Sequence, residues 1–176
     1  NDSPFHNKNC VLAYVGAAGS GNTTLCLLIV ASMRQRVYAQ CYDTVYICCH
    51  ESTLKSIAAP NPFESLPPSQ IYYSFTEQLL DDVFESCQID SMQGKDTLLV
   101  IDDAANGLKS SMRLQHALGD LVQKHRHLKL SIHILVQSYP MIPLAIRENL
   151  SALFLFKSTN LKRDKLIWEE TMNHIS

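Results

Sequence analysis

Between an aliphatic run and a segment of helical spacing stands Gly16-Ala17-Ala18-Gly19-Ser20-Gly21-Asn22-Thr23-Thr24. Gly16 and Gly21 bracket the turn, and with Gly19 they let successive backbone N–H groups point inward. A helix start adds its positive end, so the segment is laid out as a cradle for a polyphosphate. Thr23 stands where a hydroxyl coordinates Mg²⁺. Asn22 stands where such a loop carries lysine. A lysine places a point charge on the β- and γ-phosphates, and a charge-assisted hydrogen bond of that kind contributes about 1.5–3 kcal/mol. Asparagine donates a hydrogen bond but does not neutralise. Binding through the backbone is expected to survive in weakened form. Hydrolysis, which needs charge compensation as the γ-phosphoryl leaves, is expected to suffer. Three readings stay open: a decayed ATPase, an ATPase that borrows a cation from elsewhere, and a sequence error or introduced substitution.

The glycine spacing by itself is common; a second motif makes it specific. Thr97-Leu98-Leu99-Val100-Ile101-Asp102-Asp103 is an aliphatic run ending in two carboxylates, a Walker B pattern. Asp102 at the strand tip would hold Mg²⁺ through water, and Asp103 would polarise the attacking water as general base. The alternative is a buried strand followed by an Asp-rich turn. The next aliphatic run ends in Gln137. In a parallel sheet the strand ends converge, so this residue is expected beside Asp102, orienting the water. Lys124, His125, Arg126, His127 and Lys129 form the densest positive run. They either compensate a helix dipole or bring Arg126 to a neighbouring subunit's nucleotide as an arginine finger. Arg147 is the other finger candidate, and either arginine is equally able to cap a helix. His6, His50, His116, His133 and His174 show no metal-ligand spacing and are read as structural or surface groups. No hydrolase triad stands out.

Positioning these groups requires strands that alternate with helices. Buried strands are expected at 11–15, 44–48, 97–101, 131–136 and 152–156, and helices at 23–36, 76–87, 111–126 and 161–174. Ser74 with Glu77 is read as the capping box of the second helix. In the third, Leu114, Leu118, Leu121 and Val122 fall on one face, which should dock on the sheet. The proline-bearing stretch 58–69 reads as a surface loop. The result is an α/β, three-layer αβα P-loop NTPase fold with a mostly parallel core of about five strands, a single domain over 1–176.

Composition narrows the function further. Hydrophobic residues make up 46% of the 176 residues and charged ones 18%, enough apolar material for a packed core and no membrane span. The net charge of −2 excludes a basic coat that would hold nucleic acid by bulk charge. The six cysteines lack any CxxC spacing, which reads as a reduced compartment without zinc. The opening residues carry no pattern of a signal peptide.

The loop GAAGSGNTT, the run TLLVIDDA, the segment HRHLKLSIHILVQSY and the following PMIPLAIRENLSALFLFK together resemble the poxvirus-type DNA-packaging ATPases, within the FtsK-HerA group of P-loop motors. The last two segments are the specific ones. The resemblance spans roughly 10–160 and implies a domain that continues further, so truncation at the C-terminus is expected. Carried over by position, it implies nucleotide binding by Gly16, Gly19, Gly21 and Thr23, Mg²⁺ at Asp102, Asp103 as base and Gln137 as sensor. It also implies a homo-oligomeric ring driving double-stranded DNA into a capsid, with capsid or portal components as partners. The setting is then viral, at an assembly site in the infected cell, without secretion. Asn22 departs from the family's pattern. The alternatives are a weakly active or inactive nucleotide-binding assembly subunit and, behind it, a small-molecule phosphotransferase.

Overall fold

The computed structural model describes residues 8–34, 42–57, 61, 63, 66–102, 105–157 and 161–171. Six strands, β1 (Val11–Val15), β2 (Thr44–Cys48), β3 (Ile71–Tyr72), β4 (Thr97–Asp102), β5 (Leu130–Val136) and β6 (Ala152–Leu155), form one sheet in the order β3-β2-β4-β5-β1-β6. Every pairing is parallel. The helices are α1 (Asn22–Arg34), α2 (Glu51–Ser56), α3 (Glu77–Met92), α4 (Ala105–Ser110), α5 (Met112–Lys124), α6 (Leu144–Arg147) and α7 (Leu161–Thr171).

Of the four inner strands, β1, β4 and β5 are apolar almost without interruption, because a parallel strand covered on both faces has no polar side to keep. One face carries Val11, Ala13 and Val15 of β1 against α3, α5 and α7; the other carries Leu12 and Tyr14 against α1 and Phe63. Helices on both faces complete the three expected layers. Leu114, Leu118, Leu121 and Val122 of α5 are buried as their spacing required, each contributing about 1.5–3 kcal/mol by leaving water.

The expected five strands are six. The addition, β3, is two residues long and too short to show a period in the sequence. It is held at the edge by pairing with β2 and by the Tyr72 hydroxyl, which donates to Asp82 on α3 at 2.6 Å. Helix α3 runs to Met92, beyond the expected end at 87, and its cap is Thr76 rather than Ser74. Thr76 has the extended backbone of a cap, and its hydroxyl accepts from Leu79 N–H at 3.4 Å. The helix ends expected at 35–36 and 172–174 lie outside the described residues, as do Pro60 and Pro62 of the loop, His6 and His174, and Cys41. Cys10, Cys26, Cys48, Cys49 and Cys87 are buried thiols. Among the described residues no helix is long and apolar enough to cross a membrane.

His133 sits fully buried in the middle of β5, with Tyr14 Oη 3.3 Å from its Nδ1 and no partner for Nε2 among the described residues. Burial lowers its pKa to about 3, since the charged ring would lose its water. The unfolded chain takes up that proton near the ordinary value of about 6.5 and the native chain does not, so this contribution to stability is complete above that pH. It should fall by about 1.4 kcal/mol per pH unit below it, until the native ring also titrates. Urea midpoints measured from about pH 7 down to about pH 4.5 should show that slope, and His133→Gln should flatten it; an identical slope in the variant would refute the assignment.

Candidate functional site

The sheet order puts the ends of β1 and β4 on either side of β5. The register is flush: Asp102 is opposite Leu135, and the N–H of Gly16, the first residue past β1, donates to the carbonyl of Val136 at 3.1 Å. Three strand tips therefore end level, and the polar residues that follow them share one edge. This is the edge where parallel α/β sheets bind ligands, because the crossovers diverge there and leave a crevice.

The loop after β1 folds as its glycines require. Ser20 N–H donates to Ala17 C=O at 3.0 Å, closing a turn, and Leu25 N–H donates to Gly21 C=O at 2.8 Å, opening α1. Gly19 and Gly21 have φ of 75° and 92°, left-handed values that side chains resist. Gly16 is needed for space: a Cβ there would overlap Ser20 Oγ and come within 2.8 Å of Phe156 Cβ. Ala17, Ala18 and Gly19 are exposed at the rim. The Ser20 hydroxyl is buried and without a partner among the described residues. A buried hydroxyl without a partner at such a bend is a donor that fits an oxyanion.

Thr23 and Asp102 meet. The Thr23 hydroxyl donates to Asp102 Oδ2 at 3.2 Å across 79 residues of sequence. A hydroxyl oxygen and a carboxylate oxygen at this spacing are the hard donors a magnesium ion prefers. Beside the pair a small, mostly apolar pocket is walled by Cys26, Cys49, Leu135 and Phe63. Burial, and secondly the Asp102 carboxylate, push the Cys49 thiol up to about 11, and the same two causes raise Cys26. These thiols stay protonated, so they line the acid's surroundings without competing for a metal. Asn22 turns its side chain inward on its own helix start, where Oδ1 accepts from Thr23 N–H at 2.9 Å. Thr24, the next residue, is exposed.

Gln137 is the residue after Val136, exposed at the same edge, so three of the expected groups, Thr23, Asp102 and Gln137, come together. Asp103 lies outside the described residues. Arg126 is exposed at the opposite end of β5, whose seven residues at about 3.3 Å each put it roughly 23 Å from the phosphate loop. Arg147 is engaged elsewhere. Its Nη1 donates to both carboxylate oxygens of Glu170 on α7, at 2.8 and 2.9 Å, and the guanidinium lies over the Tyr139 ring at 5.0 Å. That clamp fixes the turn after Gln137 to α7. Sequence reasoning missed Phe156 and Glu170. Neither carries a motif, and only the neighbouring strand and helix give them their places.

The family described as Poxvirus A32 protein matches residues 2–173. No curated protein sequence matches the chain. Among solved structures, B204, the DNA-packaging ATPase from Sulfolobus Turreted Icosahedral Virus, superposes with a TM-score of 0.73 at 14% identity, over 96% of this chain and 85% of that one. The genome packaging NTPase B204 from Sulfolobus turreted icosahedral virus 2, in complex with ATP-gammaS, gives 0.72 at 14% identity with the same coverage. The cytoplasmic domain of EssC gives 0.68 at 13% identity, over 90% of this chain and 35% of that one. At these identities the likeness is one of fold.

The crowding at Gly16 yields a contrast with Gly119, where an added Cβ meets nothing within 4 Å. Gly16→Ala should lower stability by about 1–3 kcal/mol through overpacking. Gly119→Ala, inside helix α5, should raise it by about 0.5–1 kcal/mol. Urea unfolding of the two variants beside the parent chain checks both signs.

Proposed function

The chain belongs to the Poxvirus A32 protein family, and from that premise we propose that it is an ATP-hydrolysing motor that packages double-stranded viral DNA into capsids in the infected cell. The observation that carries the reading is the contact between Thr23 and Asp102, which joins a phosphate cradle to an acidic strand tip. The solved B204 structures, described as packaging enzymes and in one case bound to ATP-gammaS, support it by shared fold.

In this reading the phosphates of ATP are held by the loop 16–24, through the Ser20 hydroxyl and those backbone amides not already given to Val136, Ala17 and Asn22. Thr23 and Asp102 would hold a magnesium ion, which would supply charge neutralisation at the phosphate oxygens. Asp103 accepts a proton from water as the water oxygen bonds to the γ-phosphorus. The bond from that phosphorus to the bridging oxygen breaks, and ADP and phosphate leave. Gln137 orients the water from the tip of β5. Arg126 sits at the far end of the sheet from its own loop, so its role as a finger is to reach a neighbouring subunit's nucleotide in a homo-oligomeric ring. Arg147, committed to Glu170, is assigned to the turn after Gln137 instead. Capsid or portal components are the partners of such a ring.

A second reading has its own observation. Asn22 is neutral and its oxygen occupies the Thr23 N–H that would face a phosphate. A subunit that binds nucleotide weakly and serves in assembly follows from that geometry.

ATP hydrolysis measured with and without double-stranded DNA separates the two. The motor reading expects DNA to raise turnover and Asp102→Ala to abolish it. Asn22→Lys should raise turnover at least about tenfold, the effect of one charge-assisted bond made to the departing phosphoryl. Nucleotide affinity with no hydrolysis under either condition would favour the assembly subunit, and equal rates for Asn22 and lysine would show that position 22 does not limit the reaction.

A further inference from the structure

The loop lacks the charge of a lysine at 22, and the fold brings another cation to its flank. Strand β6 lies beside β1 in parallel register, Val15 opposite Leu155. The pairing continues one residue past the strand, with Phe156 N–H donating to Val15 C=O at 3.0 Å. Phe156 is then seated against the loop from end to end. Its Cβ limits the space at Gly16, and its Cε1 is 3.9 Å from the place of a Cβ on Gly21. Lys157 follows, its Cα about 3.8 Å further along the chain, and is exposed at the strand-tip edge.

Of the other cations on elements that follow the strand tips, Arg147 donates to Glu170 and Lys55 pairs with Glu51 at 2.7 Å. No carboxylate among the described residues pairs with Lys157. Position 22 itself is folded back on Thr23 N–H and holds no charge to offer. A polyphosphate in the cradle would carry several negative charges next to an unpaired ammonium on a flexible stem, which is the arrangement in which a lysine acts as a point-charge phosphate binder.

We propose that Lys157, carried past Gly16 on Phe156, supplies to the phosphates of a bound nucleoside triphosphate the positive charge that Asn22 does not. This rests on the reading of the loop as a nucleotide site. The chain needs no second subunit for this charge, and the sequence distance of 141 positions between Gly16 and Lys157 hides the pairing from any motif search.

The test is equilibrium binding of Mg-mant-ATP to the full chain, by fluorescence, with thermal unfolding run on each variant. Lys157→Ala and Lys157→Gln should weaken binding at least about tenfold with unchanged melting, and Lys157→Arg should stay within about threefold of the parent. In the Asn22→Lys background the loss from Lys157→Ala should shrink to less than about threefold, because the restored lysine takes over the charge. Inorganic triphosphate as competitor should lose potency in parallel, which places the effect on phosphate rather than base. Binding by Lys157→Ala within about twofold of the parent overturns the proposal while leaving the nucleotide site in place, as does an undiminished loss in the Asn22→Lys background. No binding by the parent chain overturns the nucleotide site and this inference with it.

Discussion

The contact from the Thr23 hydroxyl to the Asp102 carboxylate is the point on which the molecule's chemistry turns. One partner begins a helix and the other ends a strand, and nothing local brings them together. They meet because β5 lies between β1 and β4, with the register level on both sides. A shift of one residue in either pairing would move the acid by about 3.3 Å and turn its side chain to the other face of the sheet. The largely apolar runs of β1, β4 and β5 resist such a shift, since the polar residues after each run would then be drawn into the core.

Beside that contact, the loop after β1 combines left-handed backbone with tight packing. Gly19 and Gly21 adopt left-handed backbone, and Gly16 leaves room for Ser20 and Phe156. These features fix the bend of the loop and leave the buried Ser20 hydroxyl without a partner among the described residues before any ligand arrives, a preorganisation of the kind that makes electrostatic stabilisation effective. Asn22 interrupts the pattern in charge but not in shape. Its side chain satisfies a helix-start amide that would otherwise be left for an anion.

The turn carrying Gln137 is the other constrained part. Tyr139 is buried, Arg147 lies over its ring, and Glu170 on α7 binds the guanidinium with both oxygens. A charge-assisted bond shared between both carboxylate oxygens, with the aromatic ring against the guanidinium, holds the side chain in place. The last described helix is thereby tied to the tip of β5. A displacement at that tip has a direct mechanical route to α7, whereas Arg126 at the far end of the same strand has none to its own loop.

What the amino-acid sequence determined by itself was everything written in local terms. The run into Asp102, the glycines of the loop and the stripe Leu114, Leu118, Leu121 and Val122 on α5 each announce strand, turn or helix through spacing. Strand alternation then implied a parallel sheet, and a parallel sheet implied that Thr23, Asp102 and Gln137 share an edge. The sequence did not announce β3, two residues long, because a period cannot show in so short a run. It misplaced the cap of α3 since Ser74 and Thr76 carry equivalent hydroxyls, and only the backbone shows which is extended. Arg147, Phe156 and Lys157 were decided by the tertiary structure alone. Their roles depend on Glu170, Gly16 and the neighbouring strand, and contacts between residues remote in sequence are set by the order in which strands pair, which no local spacing encodes.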